Sequence, residues 1–124
     1  MKIVITSKGD NLESEMDPRF GRCGYFIITD SEDIQNFKAV LNNAAQSSGG
    51  AGVKAAQIVI DEDVKAVISG NYGPKAFDSL SAGDVKLYTV KATTVKDAIE
   101  VFNSGEARLL DTASAAAHAG LKEI

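Results

Sequence analysis

Thiols and imidazoles are almost absent from this chain: its 124 residues include one cysteine and one histidine. A lone thiol, Cys23, cannot close an internal disulfide, and within one chain it excludes four-cysteine zinc sites and self-contained iron–sulfur motifs. Positive charge is also scarce. Thirteen basic side chains stand against 17 acidic ones, a formal charge of −4. No general attraction to nucleic acid or to an acidic membrane surface is therefore expected. Long apolar runs are missing as well, and Met1-Lys2 leads straight into a strand-like segment without the apolar core of a signal peptide. These absences predict a cytoplasmic protein with neither a nucleic-acid nor a membrane partner. What remains, 44% hydrophobic and 24% charged residues, is the composition of a folded globular domain. Residues 1–124 are read as a single one, with no internal repeat or linker.

Local patterns order the chain. Lys2 to Thr6 is a short β-branched run, and Tyr25 to Asp30 is a second strand rich in aromatic and β-branched residues. Phe37 to Leu41 reads as a third strand, closed by Asn42-Asn43 and joined to the second by a longer connection. The pattern then changes to alternation of helix and strand. A helix opens at Gly49-Gly50-Ala51-Gly52 and carries Val53, Ala56 and Ile60 at helical spacing. Lys65 to Ser69 is a buried-type strand, and Pro74 suits the first turn of a helix with Ala76, Phe77 and Leu80. Val85 to Val90 is the next strand. Thr94 with Asp97 resembles a capping box, and Gly105 a C-terminal stop. The alanine-rich tail from Asp111 to Gly120 reads as helical. Three antiparallel strands followed by αβαβα predict a mixed five-stranded α/β sheet with helices on its faces, closest to a ribonuclease H-like topology.

Three loops carry chemistry. In Arg19-Phe20-Gly21-Arg22-Cys23 two guanidiniums flank a Phe-Gly pair. Arginine offers forked donors for anions, and a nearby cation lowers the pKa of a thiol toward the metal-ligating thiolate. The same residues equally describe an Asp17–arginine pair, a Phe20 core plug and a small buried Cys23. In Gly49-Gly50-Ala51-Gly52 a helix start can offer N–H groups and its dipole to an anion, or form a plain turn. It has neither the Gly-Lys-Ser/Thr ending of a P-loop nor the spacing of a dinucleotide fingerprint. In Ser69-Gly70-Asn71-Tyr72-Gly73-Pro74-Lys75 a strand passes into a helix, the place where open α/β sheets bind ligands. Gly70 and Gly73 permit close backbone approach there, or tight packing. Lys75 faces a ligand or solvent.

Catalytic arrangements are not apparent. His118, in the tail, has no partner identifiable by sequence. A metal-dependent nuclease would need carboxylates on the central strands, or Asp10, Asp17 and Asp30 brought together. Asp61-Glu62-Asp63 reads as a solvated connection.

Taken in order, Met1 to Ile5, Asp17-Pro18-Arg19-Phe20-Gly21-Arg22-Cys23 before Tyr25-Phe26, Asn42 to Gly52, and Val67-Ile68-Ser69-Gly70 with Gly73-Pro74-Lys75-Ala76 resemble the dinitrogenase iron-molybdenum cofactor biosynthesis family. That family includes NifX-like proteins and the C-terminal domain of NifB, and the resemblance covers nearly the whole chain. It implies a small ribonuclease H-like domain that binds or carries an iron–sulfur cluster, an iron-molybdenum-type cofactor or its precursor without catalysing a reaction. Arg19 and Arg22 would neutralise charge, Cys23 would ligate metal, and Phe20, Gly21, Gly49 to Gly52, Gly70, Asn71, Gly73 and Lys75 would line the site. Where family members often have His-Phe-Gly-His, this chain has arginine at both flanks. Arginine does not ligate iron, so Cys23 is the one thiolate available to that loop. Implied partners are metallocofactor donor and acceptor proteins, with the chain a monomer or weak homodimer. The alternative is a small adaptor or regulatory domain that binds an anionic metabolite or a protein.

Overall fold

In a computed structural model, which describes residues 1–110, the chain runs β1 (Lys2–Ser7), β2 (Tyr25–Asp30), β3 (Asp33–Leu41), α1 (Ala51–Asp61), β4 (Ala66–Ser69), α2 (Pro74–Ala82), β5 (Lys86–Thr89), α3 (Val95–Asn103) and β6 (Arg108–Leu110). The strands form one sheet in the order β3-β2-β1-β4-β5-β6. β1, β4 and β5 are parallel, while β2 runs against β1, β3 against β2 and β6 against β5.

The period-2 alternation of the central strands sorts their side chains into two layers. Val4, Phe26, Ile28, Val67 and Leu87 face one way and pack with Ala55 and Val59 of α1 and Phe77 and Leu80 of α2. Ile3, Ile5, Ile27, Ala66 and Ile68 face the other way, under Val95, Ala98 and Ile99 of α3. The central strands are buried on both sides, which is why they read as continuous apolar runs.

The predicted helix starts hold. Pro74 opens α2. The Thr94 hydroxyl accepts from the Asp97 N–H at 3.1 Å, and the Asp97 carboxylate accepts from the Thr94 N–H at 3.4 Å. Gly105, at φ 84°, follows the end of α3 in the left-handed region.

Two expectations are corrected. The sheet has six strands, not five: Arg108–Leu110 pairs antiparallel with β5, Leu110 opposite Leu87. Three residues are too few to show an alternation, so nothing in the sequence separated them from a loop. The third strand begins at Asp33 instead of Phe37, with Asp33 paired to Asp30, so the connection is a tight turn. Its first half is polar because β3 is an edge strand open to water. The helix expected over residues 111–120, and His118 with it, lies outside the described residues.

The topology places the site. β1, β3, β4 and β5 all end at the same edge of the sheet, so the four segments that follow them, including all three loops singled out above, gather there.

Candidate functional site

The first loop is held by its own side chains. Asp17, buried at its side chain, accepts from the Arg19 backbone N–H at 3.0 Å and from Arg19 Nε and Nη2 at 3.1 Å each. This pairing, hydrogen bond first and charge second, holds the Arg19 guanidinium above its ordinary pKa. Arg22 turns the other way, and its Nη1 donates to the carbonyls of Ala45 at 2.8 Å and Ser47 at 2.9 Å, clamping the segment between β3 and α1. Phe20 is buried, with its ring 5.7 Å from Phe26 and 5.5 Å from Tyr72. It is a core plug and offers no surface to a ligand.

Cys23 is fully buried in the same core. Its S–H donates to the Phe20 carbonyl at 3.3 Å, and Asn42 Nδ2 donates to the sulfur at 3.7 Å. Burial, and then the negative charge of Asp17, push the thiol up to about 12. A buried, protonated thiol is not a metal ligand, so this geometry counts against the expected role of Cys23. A pKa raised above that of the unfolded chain gives stability that is present below about pH 9 and lost as pH rises toward 12. Wild type should therefore lose folding stability between pH 9 and 11 more steeply than Cys23→Ala in urea melts. Its thiol should also resist iodoacetamide at pH 8 until the protein is unfolded. Rapid alkylation of the folded chain would overturn the assignment.

The first and third loops are zipped together. The Asn71 N–H donates to the Pro18 carbonyl at 2.8 Å and the Phe20 N–H to the Asn71 carbonyl at 3.2 Å. Gly70 is glycine because a Cβ there would lie 2.7 Å from Pro18 Cβ and 2.8 Å from Pro18 Cα. Gly21 also approaches α1, less tightly, with the position of a Cβ 3.2 Å from Gly52 Cα.

Beside this zipper the N-termini of α1 and α2 open into one cleft of about 370 Å³, lined by Gly21, Arg22, Gly50 to Val53 and Gly73 to Ala76. The first intrahelical bonds run from Lys54 N–H to the Gly50 carbonyl and from Phe77 N–H to the Gly73 carbonyl. That leaves the N–H groups of Ala51, Gly52, Val53, Lys75 and Ala76 without acceptors among the described residues. Both helix dipoles point their positive ends here. Arg22 and Lys75 add formal charge, and among the described residues no acidic one lines the cleft although the chain as a whole is acidic. Neither Gly50 nor Gly73 has any atom within 4 Å of where a Cβ would stand. Gly50 needs glycine for its φ of 72°, but Gly73 is extended and needs it for neither conformation nor packing. Among the described residues no group of three or more His, Cys, Asp or Glu could hold a metal ion. Asp10, Asp17 and Asp30 do not converge into one.

The sequence-predicted residues thus divide. Gly21, Arg22, Gly50, Ala51, Gly52, Gly73 and Lys75 line the cleft. Gly49 is exposed beside it, Arg19 pairs with Asp17, and Phe20 and Cys23 belong to the core. Gly70 and Asn71 line a separate crevice. Asn42, read only as a strand end, proves to hold the first loop by donating to the carbonyls of Cys23 at 2.9 Å and Gly21 at 3.2 Å. Its buried amide had no periodic signal to reveal it.

Comparison with known proteins agrees with this architecture. The family model for dinitrogenase iron-molybdenum cofactor proteins matches residues 1–105. A Methanocaldococcus jannaschii protein, MJ0580, is 30% identical over 108 residues, covering 86% of this chain and 88% of its own. The apo form of the orange protein from Desulfovibrio gigas superposes with a TM-score of 0.83 at 32% identity, over 88% of this chain and 92% of its own. A Thermotoga protein named for NifB superposes with a TM-score of 0.78 at 37% identity, over 90% of this chain and 94% of its own. No helix among the described residues is long and apolar enough to cross a membrane.

Proposed function

Because the chain belongs to the dinitrogenase iron-molybdenum cofactor family, we propose that it is a cytoplasmic, non-enzymatic carrier that receives a preformed anionic metal–sulfur cluster from a donor protein and yields it to an acceptor. The observation that carries this reading is the cleft at the paired N-termini of α1 and α2, where the described residues supply five unfilled N–H donors, Arg22 and Lys75, and no carboxylate. Sulfide-bridged clusters are bulky anions whose sulfurs accept hydrogen bonds, and oriented backbone N–H groups with helix dipoles suit them. Among the described residues the cleft supplies no thiolate, imidazole or carboxylate, so the cargo arrives with its coordination already complete and is held by charge and hydrogen bonds. Easy release to an acceptor follows from the same fact. The β3-β2-β1-β4-β5 part of the sheet is read as ribonuclease H-like, with β6 as an added edge.

The same donors would receive an anionic metabolite, the alternative reading. Anaerobic incubation with a preformed thiolate-capped iron–sulfur cluster, then desalting and absorption and electron paramagnetic resonance spectra of the protein fraction, separates the two. A cluster should appear in wild type, persist in Cys23→Ala and be lost in Lys75→Glu. No cluster in wild type, with sulfate still raising the melting temperature, would move the assignment to the metabolite. Loss in Cys23→Ala would return the thiol to the ligand set.

A further inference from the structure

We infer that the crevice at the carboxyl ends of β4 and β5 is a second binding site, for a small monocarboxylate with an apolar body. It is separate from the helix-end cleft and does not depend on the carrier reading. β4 leads into α2 on one face of the sheet, and β5 into α3 on the other. Where adjacent parallel strands send their connections to opposite faces, the loops part and leave a crevice, the usual ligand position in open α/β sheets. Here it measures about 370 Å³, within the range of small-molecule sites.

Its chemistry selects the ligand. Met16, Pro18, Val90 and Ala92 form apolar walls, and Asn71 and Lys91 supply the polar groups. Asn71 and Lys91 are exposed, and among the described residues the Asn71 side-chain amide makes no hydrogen bond and the Lys91 ammonium no ion pair. Nearby charges are already matched: Asp17 by Arg19, and Glu15 by Lys8 at 3.1 Å. The adjoining N-terminus of α3 is closed as well. Its first N–H groups donate to Ser14 O at 2.9 Å, Leu12 O at 3.0 Å and the Thr94 hydroxyl at 3.1 Å. That helix end therefore adds no donors, and a single ammonium with one side-chain amide matches the charge of a monoanion rather than that of a phosphate dianion. One ammonium balances one carboxylate, the amide can donate to its second oxygen, and the walls take a short hydrocarbon chain.

The test is a titration of the ¹⁵N-labelled full chain with butyrate at constant ionic strength, followed by amide shifts. Saturable shifts are expected at Gly70, Asn71, Lys91 and Ala92, and none at Gly50 to Val53, Lys75 or Ala76. Lys91→Met should weaken binding by about tenfold or more, the equivalent of one lost charge pair. Lys75→Met should leave it unchanged, and butyramide, the uncharged analogue, should fail to saturate. Absence of saturable shifts, shifts confined to the helix-end cleft, or an unaltered Lys91→Met titration would each overturn the proposal. Failure of cluster uptake would leave this outcome intact, because that experiment reads the spectrum of a cluster in the helix-end cleft and this one reads the amides of the crevice.

Discussion

Replacing Phe20 by alanine should cost about 3–5 kcal/mol of folding stability, a large part of the roughly 5–15 kcal/mol by which domains of this kind are stable. The ring is 1% exposed and sits between Phe26 and Tyr72 at centroid distances of 5.7 and 5.5 Å. Its loss removes apolar burial, two aromatic contacts and the filler of a space that neighbours cannot easily close. Tyr72 cannot move in, because its hydroxyl is tied to the Tyr88 carbonyl at 2.6 Å and lies 3.2 Å from that of Val67. Phe26 is fixed within β2, paired with Thr6 on one side and Val40 on the other. The cavity therefore stays open, which is the costly case. Urea unfolding of wild type, Phe20→Ala and Val53→Ala gives the comparison. Val53 is 43% exposed, so its substitution should change stability by no more than about 0.5 kcal/mol. A loss below about 1 kcal/mol for Phe20→Ala would mean that the first loop is not anchored by this ring.

That loop shows where sequence reading reached and where it stopped. The β-branched and aromatic runs of β1 and β2, the buried-type run of β4, the Pro74 start of α2 and the capping box at Thr94 are local signals, written in neighbouring residues, and each appeared where expected. β6 and the polar first half of β3 lacked such signals. Being in the sheet there depends on a partner strand distant in sequence, not on propensity. The first loop posed a harder problem. Arg-Phe-Gly-Arg-Cys is consistent with a ligand corner and with a core plug, and the choice depends on which way each side chain points. Folding splits the motif: Phe20 and Cys23 go inward, Arg19 turns to Asp17, and Gly21 and Arg22 reach the cleft. The glycine-rich helix starts were legible as anion-receiving groups one at a time. That α1 and α2 present them to the same space is a property of the crossover topology and of α1–α2 packing, which no local pattern encodes.

Gly73→Asp should move stability and binding in opposite directions. Gly73 is the N-cap of α2, its backbone already extended at φ −74° and ψ 163°, with no side-chain cap and no atom within 4 Å of a Cβ. Aspartate is accommodated there without strain, and its carboxylate can accept from the N–H of Lys75 or Ala76, the donors now open to the cleft. The cap and its favourable interaction with the helix dipole should stabilise the fold by about 0.3–1 kcal/mol. The same carboxylate fills the anion's place and adds a negative charge where the described lining of the wild-type cleft has none. Sulfate affinity, read from the rise in melting temperature with sulfate concentration, should fall by at least about tenfold, and iron–sulfur uptake should fall with it. Gly73→Asn, which caps without the charge, should keep the stability gain and lose less binding. A site elsewhere would leave binding untouched in both variants while the melting temperature rose. Only a cleft whose working groups are the helix-end N–H donors predicts that a better cap makes a poorer carrier.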